Sequence, residues 1–377
     1  MIFEKIHDEN NLREAWKRVR GNNPSPGIDR ISCDDFEKNL EYNLTKIRQQ
    51  IRDESYHPQP VIVFKDRKKK KSGRTIGMST VRDKVVQQAI LNAVRPYFEK
   101  IFLPCSYAYR PKKSALSAVT KAGQLIKKGH LWVLQMDVQN FFDTMNHKIL
   151  LELVGKIVEE KPIIRLVSKL LKVKIFREMG LFDNLIGSHQ GSGLSPLLSN
   201  SYLHPVDKVL WEKYKESYLR YSDDITLFLK EKEQLEDAQT LIETCLRELK
   251  LSSHAQKSTI THVAGGVVYL GFYMDARGKG PDKKSIEQLH AKLSEFDKVR
   301  KTDNIAERLN KATSVIRGWY EYYQTLNPIK PANALSVIAL VKLAMDFDQA
   351  QLTRRILKQT SEFKYNSLST PQNTFLG

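Results

Sequence analysis

Three cysteines in 377 residues, Cys33, Cys105 and Cys245, are too few and too scattered for a disulfide framework or a zinc-ligand spacing. They read as reduced thiols, the state expected in a cytosolic chain. No apolar run approaches the ~18 residues of a membrane span. The N-terminus MIFEKIHDENN lacks the basic-then-apolar pattern of a secretory leader. The expectation is a cytoplasmic protein with no membrane partner. His254 and His262 stand alone, so structural roles outweigh metal ligation. Acidic residues are the most telling shortage. Sixty-one Lys and Arg face 43 Asp and Glu, a formal net charge of +18 with a pI near 9.6. A surplus of that size seeks a polyanion, most simply nucleic acid; an acidic membrane surface and a merely solvated basic shell are the alternatives.

What is present is a soluble globular composition, 41% hydrophobic and 28% charged, long enough for two or three modules. Turn-formers crowd GNNPSPGID at 21–29, and apolar spacing predicts one helix over 34–53. A short strand follows at Val61–Phe64, then a basic hairpin, KDRKKKKSGR. Helices are predicted over 80–104, 147–174 and 233–250. LWVLQMDV at 131–138 reads as a strand, 218–229 as a hairpin and 267–274 as a strand pair or hairpin. Beyond residue 283 the chain turns helical and basic, with GKGPDKK at 278–284 as the expected linker. Ile286, Leu289, Leu293 and Phe296 make one helical stripe; Ile305, Leu309, Ile316, Trp319 and Tyr323 make another.

LRYSDDITLF, residues 219–228, places Asp223 and Asp224 side by side between β-forming residues. Adjacent carboxylates repel each other and lower strand propensity, so something must offset them. A third carboxylate, Asp137, ends the strand 131–138. Three carboxylates converging at strand ends suit hard divalent cations. Two such ions ~3.5–4 Å apart are the clamp for in-line phosphoryl transfer, and their charge offsets the repulsion.

QMDVQNFFD, QGSGLSPLLSN and YSDD, in that order, resemble motifs A, B and C of reverse transcriptases, nearest the bacterial group II intron-like branch. PGIDRISCDDFEKNL, VFKDRKKKKSGRTIGM, SYAYRPKKSALSAV, LSSHAQKSTI, YLGF and IRGWYEYY resemble further blocks of that branch. The resemblance spans roughly 10–325 and implies an α+β right-hand polymerase: an extension at 1–56, fingers and palm at 57–282, a helical thumb at 283–327 and a helical tail at 328–377. It implies an RNA-directed DNA polymerase using template RNA, a DNA or RNA primer and dNTPs, with two Mg²⁺ ions for which Mn²⁺ can substitute. Asp137, Val138, Asp223 and Asp224 would hold the metals, and Lys257 would protonate leaving pyrophosphate, a surface lysine being the equal reading. Lys65 and Arg74 would clamp the triphosphate. Gln190 and Gly191 would flank the nucleotide, with Gly191 and Gly193 allowing close backbone approach. Phe142 would crowd a ribose 2′-hydroxyl, against the alternative that it is core; Phe141 is expected to be core. Lys68, Lys69, Lys70 and Lys71 would track phosphates. Arg110 is either a fingers or template contact or a structural ion pair. Tyr269, Leu270 and Gly271 would grip the primer, and Trp319 is one of four aromatics able to stack on a base.

Several blocks depart from the branch. Arg74-Thr75 stands where Arg-Pro is usual, His189 where proline precedes Gln-Gly, and Ser222 where the tetrad has alanine. None removes a catalytic group. HVAGGVVYLGF departs from the retron pattern, and Ser195-Pro196 from that of diversity-generating enzymes. No His and Cys cluster for a nuclease metal site follows the thumb-like block, so DNA cleavage is not expected. The expectation is a free-standing member with a dedicated structured non-coding RNA, in antiphage defence ahead of a CRISPR-linked enzyme or a trimmed intron enzyme. The rivals are an RNA-binding splicing helper with a vestigial site and an untemplated nucleotidyltransferase.

Overall fold

The computed structural model describes residues 1–65, 75–177, 180–189, 191–254, 258–295 and 305–325. The chain divides into two compact units, 1–118 with 132–260, and 119–131 with 261 onwards. The first unit opens with α1 (Ile2–Ile6) and α2 (Glu9–Asn22), the latter capped by the Asp8 carboxylate accepting from the Asn11 N–H at 3.1 Å. The expected helix over 34–53 is two helices, α3 (Cys33–Lys38) and α4 (Leu40–Arg52). Asn39, at φ −125° and ψ 41°, breaks it, and Asn43 Nδ2 donates to the Phe36 carbonyl at 2.9 Å. The apolar spacing still holds: Phe36, Leu44, Ile47 and Ile51 are all buried. Long α5 (Val81–Ile101) starts on Thr80, whose hydroxyl accepts from the Asp83 N–H. Buried Asp83 also accepts from the Tyr56 hydroxyl and the Gln59 N–H, tying the helix start to the chain before the first strand.

Two sheets belong to this unit. One has the order β2-β1-β4-β5, built from β1 (Val61–Lys65), β2 (Thr75–Met78), β4 (Ile175–Arg177) and β5 (Gly180–Phe182). The other has the order β6-β7-β3-β8, from β3 (Trp132–Asp137), β6 (Tyr218–Tyr221), β7 (Asp224–Leu229) and β8 (Thr259–His262), and the chain passes into the second unit within β8. Leu134, Met136, Ile225 and Leu227 share one face of this sheet, which is apolar and buried in the main core, while Asp137 and Asp224 lie on the other face. After β3 come α7 (Phe141–Thr144), α8 (His147–Gly155) and α9 (Lys161–Leu171). The single helix expected over 147–174 is thus two, since Pro162 starts a new helix rather than continuing the old one. Two more helices, α10 (Ser195–Tyr214) and α11 (Gln234–Glu248), complete the core, with Leu197, Leu203, Leu210, Ile242 and Leu246 inside.

The second unit takes up the latter part of α6 (Ala115–Lys127), then β9 (Val267–Tyr269), β10 (Phe272–Asp275), β11 (Gly278–Pro281), α12 (Lys283–Glu295) and α13 (Ile305–Gln324). The expected linker is instead mostly strand. Asp275 accepts from the N–H groups of Arg277 and Gly278 at 2.8 and 3.1 Å, an Asx turn that folds β11 back onto β10. Leu289, Leu293, Ala312 and Ile316 form the core between the two helices. Among the described residues no helix is long and apolar enough to cross a membrane.

Candidate active site

Strands β3 and β7 run antiparallel in a register that pairs Asp137 with Asp224. Directly opposite residues in such a ladder have Cα atoms about 4.5–5.5 Å apart and side chains on one face. Two acidic side chains distant in sequence therefore emerge together at one end of the sheet. Asp223 precedes Asp224 in the two-residue loop, Ser222–Asp223, that closes the β6–β7 hairpin on the pair Tyr221 and Asp224. Ser222 takes φ 60°, as the first residue of a primed hairpin turn does. Asp224 is exposed, and Asp137 and Asp223 are half-buried. The end of β3 is fixed by a short pairing: the Asp137 carbonyl accepts from the His254 N–H at 2.7 Å, Gln139 donates to the Ser252 carbonyl, and Val138 bridges to Ser253.

A buried polar cluster backs this turn, and sequence reading missed it. Arg220 and Asp207, both 0% exposed, form a two-pronged ion pair at 2.6 and 2.7 Å. Burial works against the guanidinium charge, but Asp207 overrides it and holds the Arg220 pKa above its ordinary value. The available signal was an arginine in an apolar strand, LRY, which cannot stay buried without a carboxylate.

The glycine-rich loop before α10 lies against β2. Gly191 is at φ 111°, and a Cβ there would stand 2.3 Å from the Gly77 carbonyl oxygen. Gly193 has no positive φ and room for a Cβ, so only the first of the two expected close approaches is present. Gln87, on α5, holds the loop by accepting from the Gly193 N–H at 3.0 Å and the Ser192 hydroxyl at 3.2 Å. His189 packs over Gly77, and burial pushes its pKa down to about 4. Pro196 sits in the first turn of α10, where its missing N–H costs nothing.

Phe141 is core at 2% exposure, and Phe142 is half-buried against it, with ring centroids 5.3 Å apart. Lys65 ends β1 opposite Thr75. Arg110 is corrected to a structural role. Its side chain is 7% exposed, pairs with Glu99 at 2.9 Å and donates to the carbonyls of Phe102, Leu103 and Ser106. Its guanidinium is spent inside the protein and is not offered to a phosphate. Tyr269, in the second unit, is 1% exposed, so its ring offers no surface to a primer. Leu270 and Gly271 make the β9–β10 turn at φ 48° and 83°, and the Gly271 carbonyl accepts from the Tyr323 and Ser285 hydroxyls. Trp319 packs on the two-helix core and on Tyr323, which leaves it poorly placed for stacking on a base. Lys68, Lys69, Lys70, Lys71, Arg74, Gln190, Lys257 and the tail at 328–377 lie outside the described residues.

Among the described residues no three His, Cys, Asp or Glu side chains form a ready-made metal cage. The donor set nonetheless suits a hard cation: carboxylate oxygens of Asp137 and Asp224 on one face, with Asp223 beside them.

The family described as "Reverse transcriptase (RNA-dependent DNA polymerase)" matches residues 66–274. Protein YkfC of Escherichia coli K12 is 29% identical over 66% of this chain and 75% of its own length. The group II intron-encoded protein LtrA of Lactococcus lactis is 31% identical over 45% of this chain, a stretch that is 28% of LtrA. Among solved structures, a chain of a partial Cas6-RT-Cas1–Cas2 complex is 20% identical, with a TM-score of 0.41, covering 66% of this chain and 42% of that one.

Proposed function

Because the chain belongs to the reverse transcriptase family, we propose that it extends a DNA or RNA primer with dNTPs on an RNA template, with Asp137, Asp223 and Asp224 as its catalytic carboxylates. The observation that carries this reading is the β3–β7 register, which sets Asp137 across from Asp224 and next to the Asp223 turn. Two Mg²⁺ or Mn²⁺ ions, held by these carboxylates with Val138, would supply the positive charge that eases deprotonation of a primer 3′-hydroxyl and neutralises the triphosphate. Lys65 and Arg74 bind the triphosphate, and Gly191 with Gln190 brings backbone close to the nucleotide. Phe142 fills the space a ribose 2′-hydroxyl would need. Lys257 gives a proton to departing pyrophosphate. The Leu270–Gly271 turn contributes backbone to the primer grip, and Lys68–Lys71 contact RNA phosphates.

In domain terms, 57–282 would be fingers and palm, preceded by the extension at 1–56 and followed by the thumb at 283–327 and the tail at 328–377. The net charge of +18 supports a structured RNA as standing partner. A role in antiphage defence rests on resemblance alone, and isolating the chain from its host and sequencing the nucleic acid that accompanies it tests both.

Primer extension on a defined RNA with Mg²⁺, followed by sequencing of the product, tests the chemistry. Template-complementary DNA is expected. A homopolymer would mean an untemplated transferase, and no product on any RNA, with faster folding of a bound RNA, would mean a splicing helper. In the same assay Phe142→Ala is expected to incorporate ribonucleotides that the parent rejects; unchanged selectivity would return Phe142 to the core.

A further inference from the structure

Behind the aspartate turn, every N–H of the Arg220 guanidinium has an acceptor. Nε and one Nη2 hydrogen go to the two oxygens of Asp207, at 2.7 and 2.6 Å. The other Nη2 hydrogen goes to the Ser106 hydroxyl at 2.9 Å. Nη1 donates to Asn200 Oδ1 at 3.0 Å and to the Ser222 carbonyl at 2.8 Å. Asp207 is held in turn by a second donor, since its Oδ1 also accepts from the Tyr218 hydroxyl at 2.6 Å. Asn200 and Asp207 are seven residues apart on α10, two turns on one face. Ser106 belongs to a short segment bonded to the edge of β6, where Tyr107 donates to the Arg220 carbonyl and Arg220 to the Cys105 carbonyl.

Burying two charges is a poor way to gain stability, because an apolar pair of similar volume commonly does as well or better. What an apolar pair would not supply is the contact to Ser222. That residue is at φ 60°, first in the loop carrying Asp223. The loop presents Asp223 and Asp224 close to Asp137, and three carboxylates without a cation repel one another. A rigid grip on the turn's backbone resists that repulsion.

We propose that the Arg220–Asp207 pair, locked by Ser106 and Asn200, is a positioning device for the Ser222–Asp223 turn: it grips the Ser222 carbonyl and so keeps Asp223 and Asp224 set for a divalent cation. Arg220 touches no substrate; it acts through the turn. The inference rests on the polymerase reading for its catalytic consequence, but not for its consequence on cation binding.

The test uses the full chain in four forms: parent, Arg220→Lys, the double variant Arg220→Met with Asp207→Leu, and Asp223→Asn. Three quantities are read: Mn²⁺ affinity by electron paramagnetic resonance, kcat for dNTP addition with KM for primer–template, and the unfolding temperature. Arg220→Lys is expected to weaken Mn²⁺ binding about 10–100-fold and to lower kcat by a similar factor of roughly 10–100, with KM for primer–template unchanged. The double variant is expected to unfold at or above the parent temperature yet to keep both losses. A double variant with parental Mn²⁺ affinity and kcat overturns the proposal, and this arm decides the matter even if Arg220→Lys fails to fold. So does Mn²⁺ binding that Asp223→Asn leaves untouched. A parent chain that binds Mn²⁺ through Asp223 but extends no primer sinks the polymerase reading, and the Mn²⁺ series alone then decides the role of the pair.

Discussion

Gly191 and Gly193 stand two residues apart, and their surroundings differ sharply. A methyl group at 191 would meet the Gly77 carbonyl at 2.3 Å, on a backbone already at φ 111°, whereas the one at 193 meets nothing nearer than 3.9 Å. Gly191→Ala is therefore expected to cost roughly 1–3 kcal/mol, and Gly193→Ala about 0.5 kcal/mol or less, as read from denaturant midpoints; equal costs would contradict the placement of the loop on β2. The glycines were visible in the sequence as a motif, but which of them is forced depends on a strand more than a hundred residues earlier. Buried His204 makes a second residue-scale case. Its ring lies edge-on to Phe102, neither nitrogen has a hydrogen-bond partner among the described residues, and burial lowers its pKa from 6.5 to about 4. Between those values the unfolded chain binds a proton that the folded chain refuses. The stability from this group is thus complete above pH 6.5 and lost as pH falls towards 4. The unfolding temperature should drop across that window, and His204→Leu should drop less. An identical drop in both would show that His204 does not titrate as its burial requires.

A two-residue primed turn favours glycine at a position with positive φ, and Ser222 occupies that position at φ 60°, its hydroxyl buried without a partner among the described residues. Ser222→Gly should raise global stability by about 1 kcal/mol, measured by equilibrium unfolding; a loss would mean that the serine hydroxyl is bonded after all. The β6–β7 hairpin was legible because β-forming residues run on both sides of a polar Ser222–Asp223 turn, and Ile225 and Leu227 are buried as that reading expects. Elements were misjudged where a local backbone contact outranked periodicity. The helix breaks at Asn39 although its apolar stripe runs on, with the Asn43 side chain taking the Phe36 carbonyl, and the Asp275 side chain turns a glycine-rich stretch into a strand. In both places a short polar side chain competes for backbone partners, which a count of apolar positions does not register.

At the scale of the whole molecule, fold and chemistry were legible to different depths. Motif order and the excess of basic residues pointed to the family, and the match over residues 66–274 agrees. The carboxylate pair was legible because a strand ending in aspartate and a hairpin carrying two more need only one pairing to meet. Arg220, Asp207 and Asn200 were not, because what makes them matter is a three-segment convergence with Ser106 in the interior. The same logic moved Arg110 from the surface to the inside, since its acceptors are carbonyls at the end of a helix. If the basic surface binds RNA and the sheet end performs chemistry, the two functions are separable. The most direct measurement compares the parent with Asp223→Asn for RNA affinity and for primer extension, at one fixed salt concentration because phosphate contacts weaken as salt rises. The account predicts unchanged RNA affinity with synthesis lost; parallel loss of both, or synthesis that survives the substitution, would contradict it.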